Sequence, residues 1–324
     1  MYNTVSYKTK QFFFVLIKLS IVVAAFYFMY NKLVNNGTLD FAEFINILNK
    51  KNVFSVENIF FLIFLSLFNW FFEIFKWKIL VTSIKEITFF EALQQSLGAF
   101  TASLFTPNRI GEYGAKAVYY TKNYRKKVLL LNLLSNVMQM GVTIVMGCVG
   151  FWLFISKYAL DINYVKVSRY FIIIAVISTI IVIVLKKTQY KIKGFPFEKI
   201  KNFIKKLSFN LKVLAVILSF IRYGTFSFQF YFLLHLFGTP LAYYEAMIVI
   251  TTYYLLVSVA PTIYLFDVVI KGSVAVYLFS FTDINDISVL CIVTLMWLLN
   301  FVIPSLFGSY FVLRFNLPKQ DVSC

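Results

Sequence analysis

"FFEALQQSLGAFTASLFTPNRIGEYGAKAVYY", residues 89–120, decides the fold. An apolar arm at about 91–105 runs into Pro107, meets Arg109, Glu112 and Lys116 in close succession, and resumes as a short helix at about 112–121. At 1.5 Å per residue such arms are roughly 15 to 22 Å long, too short for a hydrocarbon core of about 30 Å. A segment that starts apolar and turns polar partway is expected to fold back inside the membrane as a re-entrant hairpin. Polar backbone at that depth is tolerated only where protein buries it or water reaches it.

The surrounding chain makes the membrane setting clear. Its 324 residues are 60% hydrophobic, with a mean hydropathy of +0.79. Full-length helix candidates fall at about 12–30, 58–81, 128–155, 168–185, 211–236 and 287–313. A second interrupted segment runs from about 246–260 into Pro261 and resumes at about 267–281. The net charge of +17 sits mainly in connecting segments, which points to a membrane surface rather than nucleic acid. Three cysteines and one histidine, His235, form no disulfide framework and no metal-ligand pattern. The first apolar run is read as a retained helix rather than a cleaved signal.

Basic residues remain on the cytoplasmic side of membranes, so their distribution orients the chain. With both interrupted segments re-entrant and the N-terminus inside, the inner segments hold seventeen Lys and Arg against six outside. A full crossing at 91–105 would export the eight lysines of 186–206, against this bias. Within "KKTQYKIKGFPFEKIKNFIKKLSFN", residues 186–210, Phe197, Ile200, Phe203, Ile204 and Leu207 recur at helical spacing between lysines. This linker, about 186–209, is expected as an amphipathic cytoplasmic helix on the leaflet surface.

The two interrupted segments match in order. Glu91 precedes Pro107 by 16 residues, and Glu245 precedes Pro261 by 16 in "YYEAMIVITTYYLLVSVAPTIYLFDVVIKGSVAVY", residues 243–277. Each proline is followed by an acid and, four residues later, a lysine: Glu112 with Lys116, Asp267 with Lys271. Each unit then reaches Ala-Val-Tyr. The expectation is one integral membrane domain with a first repeat at about 58–155 and an inverted second repeat at about 211–313. Inverted repeats with broken helices place their sites near the midplane, where half-helix N-termini attract anions.

Candidate site residues follow from this placement. Arg109 stands at the first hairpin tip without an acid at i,i+4 spacing, so its fork and the adjacent helix start could bind phosphate. The acid-before-lysine pairs have the favourable orientation for a helix, and could serve only to neutralise themselves and start the half-helices. Arg222, near the middle of a span, needs a partner or water, because a charge there costs about 2.5 to 3.5 kcal/mol on insertion scales. Glu73 lies beside Trp77 and Lys78, where interfacial anchoring is an equal expectation. "TDIND", residues 282–286, has the wrong spacing for a D-x-D motif and is expected to cap a helix.

Residues Thr106 to Glu112, T-P-N-R-I-G-E, resemble the T-P-G-x-x-G-E signature of the lysylphosphatidylglycerol synthase transmembrane region. This is the flippase half of multiple peptide resistance factors, which also occurs as a stand-alone protein. The resemblance covers about residues 10–314 and implies that Pro107, Arg109, Gly111 and Glu112 line a lipid headgroup site. Asn108 stands where the family often has glycine. The second unit departs further, with P-T-I-Y-L-F-D from Pro261 to Asp267 where the family has P-G-G-x-G-x-x-E. No aminoacyl-transferase domain follows, so synthase activity is not carried over.

The reading is an all-α polytopic membrane protein with six transmembrane helices and two re-entrant hairpins in an inverted repeat. The expected function is translocation of a phospholipid or other lipid-linked anion, with no cofactor and no metal. The expected substrate-binding set is Pro107, Asn108, Arg109, Gly111, Glu112, Lys116, Arg222, Pro261, Asp267 and Lys271, with Glu73 and Tyr113 secondary. Partners are anionic or zwitterionic membrane lipids. Two alternatives stand beside this: a non-catalytic membrane partner of a separate glycosyl- or aminoacyl-transferase, and an intramembrane lipid-modifying enzyme. Localisation is expected in the cell's inner membrane with both termini cytoplasmic.

Overall fold

The computed structural model describes residues 55–104, 106, 110–158, 191–192, 195–259, 267–282 and 284–316, with isolated positions at 23, 27 and 46. The expected spans at about 12–30 and 168–185 lie outside these, as do Pro107, Asn108, Arg109 and Pro261. The first half contains α1 (Val56–Thr82), α2 (Phe89–Ala102), α3 (Ile110–Val118) and α4 (Lys122–Tyr158). A two-residue antiparallel ladder, β1 (Lys191–Ile192) with β2 (Phe195–Pro196), then leads into α5 (Phe197–Lys206). The second half contains α6 (Phe209–Leu236), α7 (Tyr243–Val259), α8 (Asp267–Phe279) and α9 (Asp286–Arg314).

Among the described residues, α1, α4, α6 and α9 are long and apolar enough to cross a membrane. They coincide with four of the six expected spans. The 37 residues of α4 reach about 55 Å at 1.5 Å each, so its ends stand beyond a hydrocarbon core.

Helix starts are set by local side chains. Thr88 and Glu91 form a capping box on α2: the Glu91 amide donates to Thr88 Oγ1 at 3.2 Å, and the Thr88 amide donates to Glu91 Oε2 at 2.7 Å. Asn285 caps α9 by accepting from the Ile287 amide at 2.9 Å, the role expected of the "TDIND" segment.

Tyr119 Oη donates to the Gln94 carbonyl at 3.2 Å and Tyr120 Oη to Gln95 Oε1 at 2.7 Å, so the end of α3 lies beside the start of α2. Gly98 permits this approach, because a Cβ there would lie 2.6 Å from Tyr119 Oη. In the other half, Lys157 at the end of α4 pairs with Glu245 in the first turn of α7. Phe154 and Tyr158 pack around Phe281, just past α8. α4 thus begins beside α3 and ends beside the start of α7.

Each hairpin's first arm is clasped by the long last helix of the other half: α2 packs chiefly on α9, α7 on α4, and α1 on α6. Small residues make the seats. A Cβ on Gly308 of α9 would lie 2.1 Å from Thr101 Oγ1 and 2.3 Å from the Leu97 carbonyl. Cβ atoms on Gly150 and Gly147 of α4 would lie 1.8 Å from Thr251 Oγ1 and 2.5 Å from Leu255 Cβ. Leu97 and Thr251 both stand six positions after the glutamates Glu91 and Glu245, and Thr101 and Leu255 both stand ten after. Without water to drive association, close backbone approach at such residues supplies much of the helix pairing in lipid.

α9 carries a π turn over Leu298–Val302, where the Ile303 amide donates to the Leu298 carbonyl. Pro304 follows, lacks an N–H, and crowds the carbonyl four residues back, which disrupts the ladder here. The freed carbonyls are used by α1: Ser66 Oγ donates to Leu299 O at 2.6 Å and Trp70 Nε1 to Asn300 O at 3.2 Å. α5 docks on the bundle through Phe203 and the buried Leu207, which pack on the cluster around Leu80, Val81 and Val128. These two residues of the linker therefore face protein rather than the leaflet surface expected for them, because the bundle end offers an apolar bed. Lys201, Lys205 and Lys206 remain exposed.

Candidate functional site

A buried ionic cluster joins α1 to α6. Glu73 Oε2 lies 3.0 Å from Lys76 Nζ on its own helix and 3.1 Å from the Arg222 guanidinium. Glu73 is 7% exposed and Lys76 1%. Gln139 of α4 ties the cations together, its Oε1 accepting from Lys76 Nζ at 3.3 Å and from Arg222 at 3.4 Å. Two cations share one carboxylate, so this group carries one positive charge in excess. Such charges persist in a bundle interior because they pair, and removing one partner of a buried pair costs about 3 to 5 kcal/mol.

A second pair lies in the first half. Lys116 Nζ is 2.9 Å from Glu112 Oε1, donates to Asn132 Oδ1 at 2.9 Å, and sits 4.2 Å from the centroid of the Trp77 ring. The indole of Trp77 donates to Gln95 Oε1 at 2.9 Å, which also accepts from Tyr120. Glu112, Lys116, Gln95 and Asn132 are all buried, and the cation–π contact adds attraction there. Gly111 serves the local fold: its amide donates to Thr106 Oγ1 at 2.8 Å, and a Cβ would lie 2.7 Å from the Thr106 methyl. Thr106 thereby caps the start of α3.

A cavity of about 310 Å³ lies between the halves. Arg222 and Lys271 line it as cations, and Asn69, Gln139 and Asn300 as amides. Trp70, Tyr253, Tyr254 and Trp297 form aromatic wall. The amides are themselves fixed in a chain: Asn69 Nδ2 donates to Asn300 Oδ1 at 3.0 Å, and Asn300 Nδ2 donates to Gln229 Oε1 at 2.8 Å. Asn69 Oδ1 accepts no hydrogen bond among the described residues. The π turn aims Asn300 at this chain, and π turns recur at functional sites for this reason.

The structure thus divides the expected site. Arg222 and Lys271 meet at the cavity. Glu112 and Lys116 form a pair of their own and Gly111 packs on Thr106; none of the three lines that cavity. Tyr113 accepts from Asn136 Nδ2 at 3.0 Å, also away from it. Asp267 begins α8, its side chain outside the described set, and Pro107, Asn108, Arg109 and Pro261 lie outside it altogether. Of the two equal expectations for Glu73, interfacial anchoring does not hold: it is a buried counter-ion to Arg222, with α6 packed over it. Sequence reasoning missed Lys76, Gln139 and Asn300. The i,i+3 spacing of Glu73 and Lys76 and the Pro304 signature were the available signals.

The family model described as lysylphosphatidylglycerol synthase TM region matches residues 15–308. No curated protein and no solved structure gives a match. That match takes in both halves of the bundle and the cavity between them, and this multi-pass helical chain belongs to the lysylphosphatidylglycerol synthase TM region family.

Proposed function

We propose that the protein moves an anionic phospholipid, or another lipid-linked anion, between membrane leaflets. The observation that carries this reading is the cavity between the halves, with Arg222 and Lys271 on its wall. Reading these hairpins as re-entrant, and the halves as an inverted repeat, is supported by the matched glycine seats and by the short length of α2 and α3. Access from alternate sides then needs only the exchange of which hairpin gives way. The surplus of basic residues at the α5 end supports a cytoplasmic assignment for that end.

Charge is exchanged within the cluster. Arg222 shares Glu73 with Lys76. When a headgroup phosphate enters, Arg222 turns to it while Lys76 keeps Glu73 compensated, so no carboxylate is left alone in the bundle. The surplus positive charge is matched by a singly charged phosphodiester. Lys271 meets the same anion from the second half, and the aromatic wall accepts the less polar part of the headgroup. In this reading the chain translocates and does not catalyse.

Purified protein in vesicles with fluorescent phospholipids tests this by dithionite quenching of the outer leaflet. Faster leaflet exchange than in empty vesicles is expected, with Arg222→Gln and Lys271→Gln each slowing it about tenfold or more, a loss of at least 1.4 kcal/mol. Exchange equal to that of empty vesicles for every native lipid class sinks the proposal.

A further inference from the structure

A second cavity lies apart from the central one, at the end of the bundle where α1 stops and α4 and α6 begin. It measures about 750 Å³ and is lined by Thr82 and Ser83 at the end of α1, Lys127 of α4, and Asn202, Phe203 and Lys206 of α5. Two lysines and several hydroxyl or amide groups converge on it. No carboxylate is among its lining residues. Ser208, also on its wall, makes no side-chain capping bond to α6. The inner floor is apolar, with Leu207 buried at 6% and Phe203 and Leu211 packed on the bundle core.

The rim tells which anion this cavity suits. Directly beyond Ser208, α6 presents Phe209 at 74% exposure, followed by exposed Val213, Leu214, Val216 and Ile217. That strip belongs to a helix long and apolar enough to cross a membrane. A phosphate held by the lysines therefore stands at the head of an apolar track running along α6. A free phosphate uses only the polar half of this surface; a phospholipid uses both, with its charge at the interface and its chains along the track.

We infer that this cleft is a binding site for an anionic phospholipid of the adjacent leaflet, separate from the central cavity. Lys127 and Lys206 hold its phosphate, Asn202 and Ser208 donate hydrogen bonds to its oxygens, and its acyl chains follow the outer face of α6. The bound lipid joins α5 to α4 and α6 and so fastens the amphipathic linker to the bundle. This stands whether or not the protein translocates lipid.

Native mass spectrometry of the full chain, released from phosphatidylglycerol-containing nanodiscs, tests the site. Lys127→Gln/Lys206→Gln is expected to retain one fewer phosphatidylglycerol per chain than the parent. Phosphatidylglycerol should raise the melting temperature of the parent and not of the double variant, whereas phosphatidylcholine should affect both alike. Lys201→Gln/Lys205→Gln should keep the lipid, because these exposed lysines of α5 do not line the cleft. Inorganic phosphate at millimolar concentration should not displace it. The inference is overturned by equal retention in parent and double variant, by the same loss in Lys201→Gln/Lys205→Gln, or by displacement with inorganic phosphate, which would make the ligand a soluble anion.

Discussion

The two halves of the molecule share their packing and differ in their chemistry. Each clasps the other's hairpin through glycine at matched positions, Gly308 against Leu97 and Thr101, and Gly147 and Gly150 against Thr251 and Leu255. Yet the first half holds Glu73 with Lys76 and Glu112 with Lys116 as buried pairs, while α7 brings Tyr253 and Tyr254 to the cavity. The scaffold is constrained by backbone approach, which tolerates few residue types, so both halves keep it. Charge placement answers to what enters the cavity, and one half can supply it for both.

The sharpest way to break this asymmetry is at Glu73. Glu73→Gln leaves Lys76 and Arg222 without their shared carboxylate, and a destabilisation of about 3 to 5 kcal/mol is expected, read as loss of folded protein on heating in detergent. Adding Lys76→Met should recover part of it, since one cation then remains near the cavity instead of two. Glu112→Gln should cost less, because Lys116 keeps Asn132 and the Trp77 ring.

The shared scaffold is tested next. Gly308→Ala should destabilise by about 1 to 3 kcal/mol, the usual range for overpacking. Gly150→Ala should cost less. The new methyl at Gly308 meets the Leu97 backbone carbonyl, which cannot rotate away, whereas at Gly150 it meets the Thr251 side chain first. Equal melting temperatures for the two variants would show that the seats are not read by backbone approach. The smallest effect is expected at Lys157 and Glu245, an ion pair in contact with solvent; Glu245→Gln should leave melting nearly unchanged.

Much of this architecture is written in local sequence. The lengths of α1, α4, α6 and α9 follow from apolar runs, and the short arms follow from the distance between Glu91 or Glu245 and the next proline. The pairing of Glu112 with Lys116 was visible as i,i+4 spacing. What escaped was carried by tertiary contact. Arg222 finds Glu73 from another helix, and nothing near either residue announces the other. Gln139 and Asn300 read as isolated amides in apolar runs until packing sets them beside Arg222 and Asn69. Lys76 was hidden in plain view, since a lysine near Trp77 and Lys78 looks like the end of a span until α6 covers it. Gly111 illustrates the reverse: its place in a recognisable motif suggested contact with a headgroup, while its Cβ space is taken by Thr106.

The clasp between halves also has a consequence for how the chain is made. α7 emerges after α4, so its seat is ready when it enters the membrane. α2 is not so served: the Thr101 hydroxyl meets its partner, Ser305 O, only 204 residues later. During synthesis α2 therefore waits without its seat, with Thr101 and the Leu97 backbone lacking the cover of α9. Among the described helices α9 is translated after all the others, and it is the one that closes α2.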